Sequence, residues 1–215
     1  MRMFGVRQLN DFQYDDVIAI LNNFTKVMVV RHPLVRVLSA FHDKLASVQP
    51  PHCHPYQQTL AGWIRTSNQR DVTTKNNSCV HDVTFAEFLA YFAHKSEWLT
   101  RDSHWRTYED TCLPCAIEYD HVFKLETAQH DHTVLARLLS QAPETTRVEH
   151  RLTNLTRSSD AGEERAYTEF ANVPRKHRLS VRKLYNTSGY LFGYTSHWTK
   201  DGLVTSCHYD DAKCC

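Results

Sequence analysis

The sequence predicts an α/β fold, and two observations predict it. Helical and buried-strand patterns alternate along the chain, and its clearest apolar run, Lys26-Val-Met-Val-Val30, is short and β-branched. A strand apolar at nearly every position needs cover on both faces, which favours a parallel sheet between helices. At 215 residues, 41% hydrophobic and 23% charged, the chain has the size and composition of one folded domain. Two regions fall outside the core pattern: residues 46–82, read as a surface insertion, and 195–215, read as a polar tail.

The elements follow in order. Residues 14–24 place Val17, Ile18, Leu21 and Phe24 at helical spacing behind acidic residues, which predicts an amphipathic helix with those side chains inward. After the strand and Arg31-His32, Pro33 suits the first turn of a helix whose inner face is Leu34, Leu38, Phe41 and Leu45. The insertion holds Pro50-Pro51, Pro55 and a polar stretch, and Cys53 with Cys79 is a plausible pair tying its ends. Thr84-Phe-Ala-Glu87 is a capping box opening a helix to about Leu99. A loop with His104-Trp105 and Cys112-Leu-Pro-Cys115 leads to a strand near Tyr119–Leu125, then a helix over about Asp131–Ser140. Residues 141–172 are polar and poorly patterned, and a basic helix is predicted from about Arg175 to Leu184.

Composition excludes some functions. The net charge of +1 gives no whole-molecule attraction to nucleic acid, so any anion site must be built from a few placed cations. The 14 His are scattered; His52–Cys53–His54 and His130–Asp131–His132 lack a spaced second pair, so no metal is expected. Cys112-x-x-Cys115 lacks both the second pair that zinc needs and a convincing helix for redox chemistry. Both cysteines are read as structural disulfides with unknown partners. Four Asn-x-Ser/Thr sequons, at Asn23, Asn76, Asn154 and Asn186, exceed the roughly one expected by chance and point to a secretory lumen. Met1 to Leu9 holds no long apolar run, so the membrane anchor and address expected of a luminal protein would lie outside this chain.

The sharpest local signal is Val29-Val-Arg-His-Pro-Leu-Val-Arg-Val-Leu-Ser39. A buried strand that delivers Arg31 at its carboxyl end, followed by a helix N-terminus, makes an anion site. The guanidinium supplies a planar fork matched to phosphate, and Ser39 on the following helix can add a hydroxyl. Spacing alone also permits a surface Arg and a packing Ser.

This segment resembles the 3′-phosphate-binding element of Golgi carbohydrate sulfotransferases of the chondroitin and dermatan 4-O-sulfotransferase type. Asp102-Ser-His-Trp105, Cys112-Leu-Pro-Cys115, Tyr119-Asp120, Lys124-Leu-Glu126-Thr, Leu184-Tyr185 and Leu191-Phe-Gly-Tyr194 follow in that family's order. The resemblance implies a P-loop-like fold with a central parallel sheet flanked by helices. It also implies a donor substrate, 3′-phosphoadenosine 5′-phosphosulfate (PAPS), and an anionic glycan acceptor. The donor-binding element would be Arg31, His32, Pro33, Leu34, Val35, Arg36, Val37, Leu38 and Ser39, with Arg31 and Ser39 on the 3′-phosphate. The implied setting is the Golgi lumen, as a type II membrane protein. His32 replaces the family's usual acidic residue, Leu34 its Phe, and Phe123 its Gly.

Nothing before Lys26 resembles the family's Lys-rich loop for the 5′-phosphosulfate. The first strand and that loop are therefore expected to be missing from residues 1–215, a single partial domain, and the chain as written is expected to transfer little sulfate. The alternative is a non-catalytic glycan-binding module derived from the same family. For a base that takes the acceptor proton, His104 is the leading candidate, with Trp105 as a platform for the sugar; Glu126 and Asp120 are alternatives. Arg175, Lys176, Arg178, Arg182 and Lys183 are candidates for drawing in an anionic glycan.

Overall fold

The computed structural model describes residues 7–46, 55–70, 82–94, 102–127, 134, 166, 168–198 and 203–212. Its elements run α1 (Tyr14–Asn23), β1 (Val27–Val30), α2 (Pro33–Phe41), α3 (Pro55–Ser67), α4 (Phe85–His94), α5 (Tyr108–Cys112), β2 (His121–Lys124), α6 (Arg175–Leu184), α7 (Asn186–Leu191), β3 (Phe192–Trp198) and β4 (Leu203–Ala212). β1 pairs parallel with β2, Val27 opposite His121 and Val30 opposite Lys124. β3 and β4 form a separate antiparallel ribbon. The fold is α/β, as the alternating pattern predicts.

Among the described residues two apolar clusters hold the fold. The larger joins α2, α3, α4 and α6 through Leu34, Leu38, Ile64, Phe88, Phe92 and Val181. The smaller joins β1 to α5, α7 and β3 through Met28, Val30, Tyr108, Leu191, Phe192 and Tyr194. Arg31 and His32 lie where the chain leaves the second cluster and enters the first, so their turn is anchored on both sides.

Several expectations change. Among the described residues β1 is covered on one face only: Met28 and Val30 are buried, whereas Val29 is 52% exposed. None of α1 is buried: Val17, Ile20 and Leu21 are half-buried, and Ile18 and, just beyond the helix, Phe24 are exposed. The insertion is more than a surface loop, for α3 sends Leu60, Ala61 and Ile64 into the large cluster. Their i, i+1, i+4 spacing was the available signal. Arg65 and Arg70 then hold Asp82, and Arg70 reaches Glu87, closing the insertion's inner end with ion pairs. The poorly patterned stretch contributes Ala166 and Phe170 to the core, Phe170 meeting Phe85 edge-on at 4.9 Å. In the region read as a polar tail, β3 and β4 pair antiparallel, Trp198 opposite Leu203.

The capping box at Thr84 forms as expected, with Thr84 N–H on Glu87 at 2.8 Å and Glu87 N–H on Thr84 Oγ1 at 3.2 Å. The helix expected over 131–140 and the Cys53–Cys79 pair lie outside the described residues. Cys115 is disulfide-bonded, but Cys112 is a free thiol. Cys112 packs with the smaller cluster, where burial raises its pKa, and left-handed Leu113 (φ 48°) ends α5 between the two cysteines. Among the described residues no helix is long and apolar enough to cross a membrane.

Candidate active site

The turn after β1 is fixed by groups distant in sequence. The Tyr108 hydroxyl accepts from Arg31 N–H at 2.8 Å and donates to Arg31 C=O at 3.2 Å. The next N–H, that of His32, donates to Glu126 Oε1 at 2.7 Å, and Tyr194 donates its hydroxyl to Glu126 Oε2 at 2.7 Å. Glu126 therefore has both oxygens engaged. It joins the turn, the end of β2 and β3, a framing role unlike that of a base open to an acceptor. Lys124, the last residue of β2, is buried with Nζ 5.3 Å from the Tyr194 ring centre.

His32 fills the helix cap that an acidic residue would fill. Its Nδ1 accepts from Leu34 N–H at 3.2 Å, and its ring meets Tyr194 edge-on at 5.3 Å. Burial, aided by the neighbouring Arg31 charge, depresses its pKa from 6.5 to about 4, so the ring is neutral near pH 7. Leu34 N–H is thereby taken and Pro33 has none, so the start of α2 offers an anion fewer backbone donors than the sequence suggested. Leu34, Val35, Val37 and Leu38 are buried in the large cluster, which leaves their side chains no part in holding a ligand. Arg31 is half-buried and Ser39 exposed.

The buried neutral His32 has a pH signature. Above pH 6.5 folded and unfolded chains both carry it uncharged, with no penalty. Between 6.5 and about 4 only the unfolded chain takes up the proton, so stability falls as pH drops, by about 3 kcal/mol in all. Urea unfolding from pH 4 to 7 should show this slope, and His32→Asn, which keeps a capping oxygen, should flatten it. Equal slopes in the two proteins would mean that His32 is not held neutral.

Arg36 is turned to a different purpose from ligand binding. Its guanidinium donates to Arg106 C=O at 2.5 Å and Ser103 C=O at 3.1 Å, and lies 4.7 Å over the Tyr108 ring. It thus pins the 102–107 loop to α2, five residues beyond Arg31. Trp105 is fully buried against Phe88, and Tyr185 donates its hydroxyl to Trp105 C=O. That placement corrects the reading of Trp105 as a sugar platform: the indole anchors the loop. His104 beside it has a side chain 43% exposed, with Nδ1 2.6 Å from Asp102 Oδ1. Asp120 sits at the far end of the strand, holding Lys26 through its N–H at 2.6 Å and its ammonium at 3.0 Å. Five residues of strand, about 16 Å, separate it from Arg31.

Sequence reasoning missed Tyr108 and did not foresee Arg36 as a loop clamp. A tyrosine three residues after a buried Trp carries no local signature, since its partner lies 77 positions away. The basic helix matches its expected bounds. α6 has no acidic residue, and Arg175, Lys176, Arg182 and Lys183 are exposed. Its C-terminal end adjoins the His104 loop through Tyr185. Among the described residues no three metal-ligating side chains gather.

A family model described as the sulfotransferase family matches residues 5–195. The chain belongs to the sulfotransferase family. It is 31% identical to mouse (Mus musculus) carbohydrate sulfotransferase 12 over 185 residues, 81% of this chain and 41% of the relative. Rat (Rattus norvegicus) carbohydrate sulfotransferase 11 is 24% identical over 193 residues, 89% of this chain and 53% of the relative. Zebrafish (Danio rerio) carbohydrate sulfotransferase 14 is 26% identical over 186 residues, 86% of this chain and 48% of the relative. The sulfotransferase chain thus spans about half the length of these curated relatives. No solved structure matches it.

Proposed function

We propose that the protein carrying this chain is a carbohydrate O-sulfotransferase. It transfers sulfate from PAPS to a hydroxyl of an anionic glycan, with N-acetylgalactosamine of the chondroitin or dermatan type as the acceptor sugar. One observation carries the reading: the turn that presents Arg31 is locked by Tyr108 and Glu126 at the carboxyl end of a parallel strand. Arg31 would hold the donor's 3′-phosphate, and Ser39 would add a hydroxyl from the exposed side of α2. In the reaction the glycan oxygen bonds to sulfur as the bond from sulfur to the 5′-phosphate oxygen breaks. The hydroxyl proton passes to His104, and 3′-phosphoadenosine 5′-phosphate leaves.

The printed names of the relatives support a carbohydrate acceptor, and the exposed cations of α6 beside the His104 loop support an anionic one. A Golgi luminal setting, reached through a type II anchor, agrees with the four sequons, of which Asn23 and Asn186 are exposed. It also agrees with the Cys115 disulfide, which an oxidising compartment preserves.

Calorimetry tests the donor half: 3′-phosphoadenosine 5′-phosphate should bind more tightly than adenosine 5′-monophosphate. Replacing Arg175, Lys176, Arg182 and Lys183 with Gln tests the acceptor half. It should weaken chondroitin binding roughly tenfold at low salt and flatten its salt dependence, at a few tenths of a kcal/mol per exposed charge. Chondroitin binding without 3′-phosphate discrimination would instead favour the binding module.

A further inference from the structure

The exposed imidazole of His104 is held more firmly than a loop residue needs. Asp102 Oδ1 accepts from His104 backbone N–H at 2.9 Å and lies 2.6 Å from His104 Nδ1. Its other oxygen, Oδ2, accepts the hydroxyl of Tyr56, 46 positions earlier in the chain. Burial pushes the Asp102 carboxyl up, but the hydrogen bonds from Tyr56 and His104 outweigh it and hold the group below the usual carboxylate range. We propose that Asp102 and Tyr56 are positioning residues that fix His104 as the Nδ1–H tautomer, leaving the Nε2 lone pair to take the acceptor's proton. The inference rests on the reading of His104 as the base, and it gives the 46–82 insertion a share in the site.

The geometry carries this in three steps. An ionised carboxylate has no hydrogen to give, so in the Asp102–Nδ1 contact the hydrogen belongs to the imidazole, and Nε2 of the neutral ring is the acceptor. A simple turn stabilised by an aspartate needs only the bond to His104 N–H; it explains neither the Nδ1 contact nor Tyr56. The supports are themselves rigid. Tyr56 lies in the first turn of α3, whose Leu60, Ala61 and Ile64 are in the core, while Arg36 and buried Trp105 hold the loop on either side of His104. During transfer the hydroxyl proton arrives at Nε2 as the oxygen–sulfur bond forms, and the Nδ1 hydrogen stays on the ring against Asp102. The carboxylate then faces an imidazolium, which it stabilises.

Long-range ¹H–¹⁵N spectra of residues 1–215 labelled at histidine read the tautomer without any turnover. Wild type should show His104 as the Nδ1–H form at a pH where the ring is neutral, and Asp102→Asn should lose it. A wild-type His104 in the Nε2–H form, or a tautomer indifferent to Asp102→Asn, would overturn the proposal whatever reaction the protein performs. In a form of the protein that transfers sulfate, Asp102→Asn should lower kcat about 100-fold or more with KM for PAPS unchanged. Tyr56→Phe should lower kcat about fivefold, the scale of one lost hydrogen bond. It also preserves the packing of α3, so it decides the matter should Asp102→Asn fold poorly. A changed tautomer with unchanged kcat would assign the pair to loop structure and overturn the positioning role. Absence of sulfate transfer by the full-length protein, alongside the Nδ1–H tautomer, would count against the function and leave the imidazole's geometry standing.

Discussion

Replacing His104 with alanine is expected to lower sulfate turnover about 100-fold or more while leaving donor affinity nearly unchanged, because general-base assistance typically contributes 10²–10⁴-fold. The structure narrows the choice of base by occupying its rivals. Glu126 spends both oxygens on His32 N–H and the Tyr194 hydroxyl, and Asp120 is tied to Lys26 at the wrong end of β1. His104 keeps one ring nitrogen outside the contact with Asp102 and a side chain 43% exposed. A histidine that served only structure would lower the melting temperature, and activity would fall in step with the unfolded fraction. Melting temperature, PAPS affinity and turnover of one His104→Ala preparation, in a form of the protein that transfers sulfate, separate the cases. Normal turnover by the stably folded variant would remove His104 from the chemistry.

The parts of the fold legible in the sequence are those written in local periodicity. The Lys26–Val30 run, the Pro33 helix start, the Thr84 capping box and the Arg175–Leu184 helix each follow from residues within one or two turns of one another. What the sequence concealed is non-local. Whether β1 is covered on one face or two depends on what packs above Val27 and Val29. Whether Trp105 faces a sugar or Phe88 depends on where α4 lies, with Phe88 17 positions away. The α3 helix was hidden differently: Pro55 and the polar residues around it resemble a loop, although Pro suits a helix's first turn as well as a bend.

The candidate site divides in the same way. Arg31 at a strand's carboxyl end before a helix is a local arrangement, and the chain shows it on inspection. The frame that makes the arrangement rigid is contributed by Tyr108, Glu126 and Tyr194, 77 to 163 positions beyond Arg31. In the sequence Glu126 stands out as an alternative base and as part of a family block, and Tyr194 as part of a block alone, without a partner for either. His32 is the instructive departure. Placed where the family resemblance leads one to expect an acid, it looks like a loss, yet its neutral Nδ1 accepts the Leu34 N–H much as a carboxylate would. The substitution preserves the cap and removes one negative charge from beside Arg31, which favours an anion there.

Arg31→Ala should weaken PAPS binding by about 2–3 kcal/mol, the scale of charge-assisted hydrogen bonds lost at a phosphate, and Ser39→Ala by about 1 kcal/mol. The structure makes both substitutions clean tests. Arg31 is positioned through its own N–H and C=O on the Tyr108 hydroxyl, and alanine retains both groups. Ser39 is exposed on α2, and alanine is a better helix former, so neither change should unfold the domain. Dissociation constants for PAPS and for adenosine 5′-phosphosulfate, which lacks the 3′-phosphate, isolate the contact. Wild type should prefer PAPS strongly, Arg31→Ala should lose most of that preference, and Ser39→Ala only a part. The weaker effect of Ser39 follows from its being a neutral donor of a single hydrogen, against the planar, always-charged fork of arginine. If both variants discriminated between the two nucleotides as wild type does, the 3′-phosphate would be held elsewhere, and the locked turn after β1 would be architecture alone.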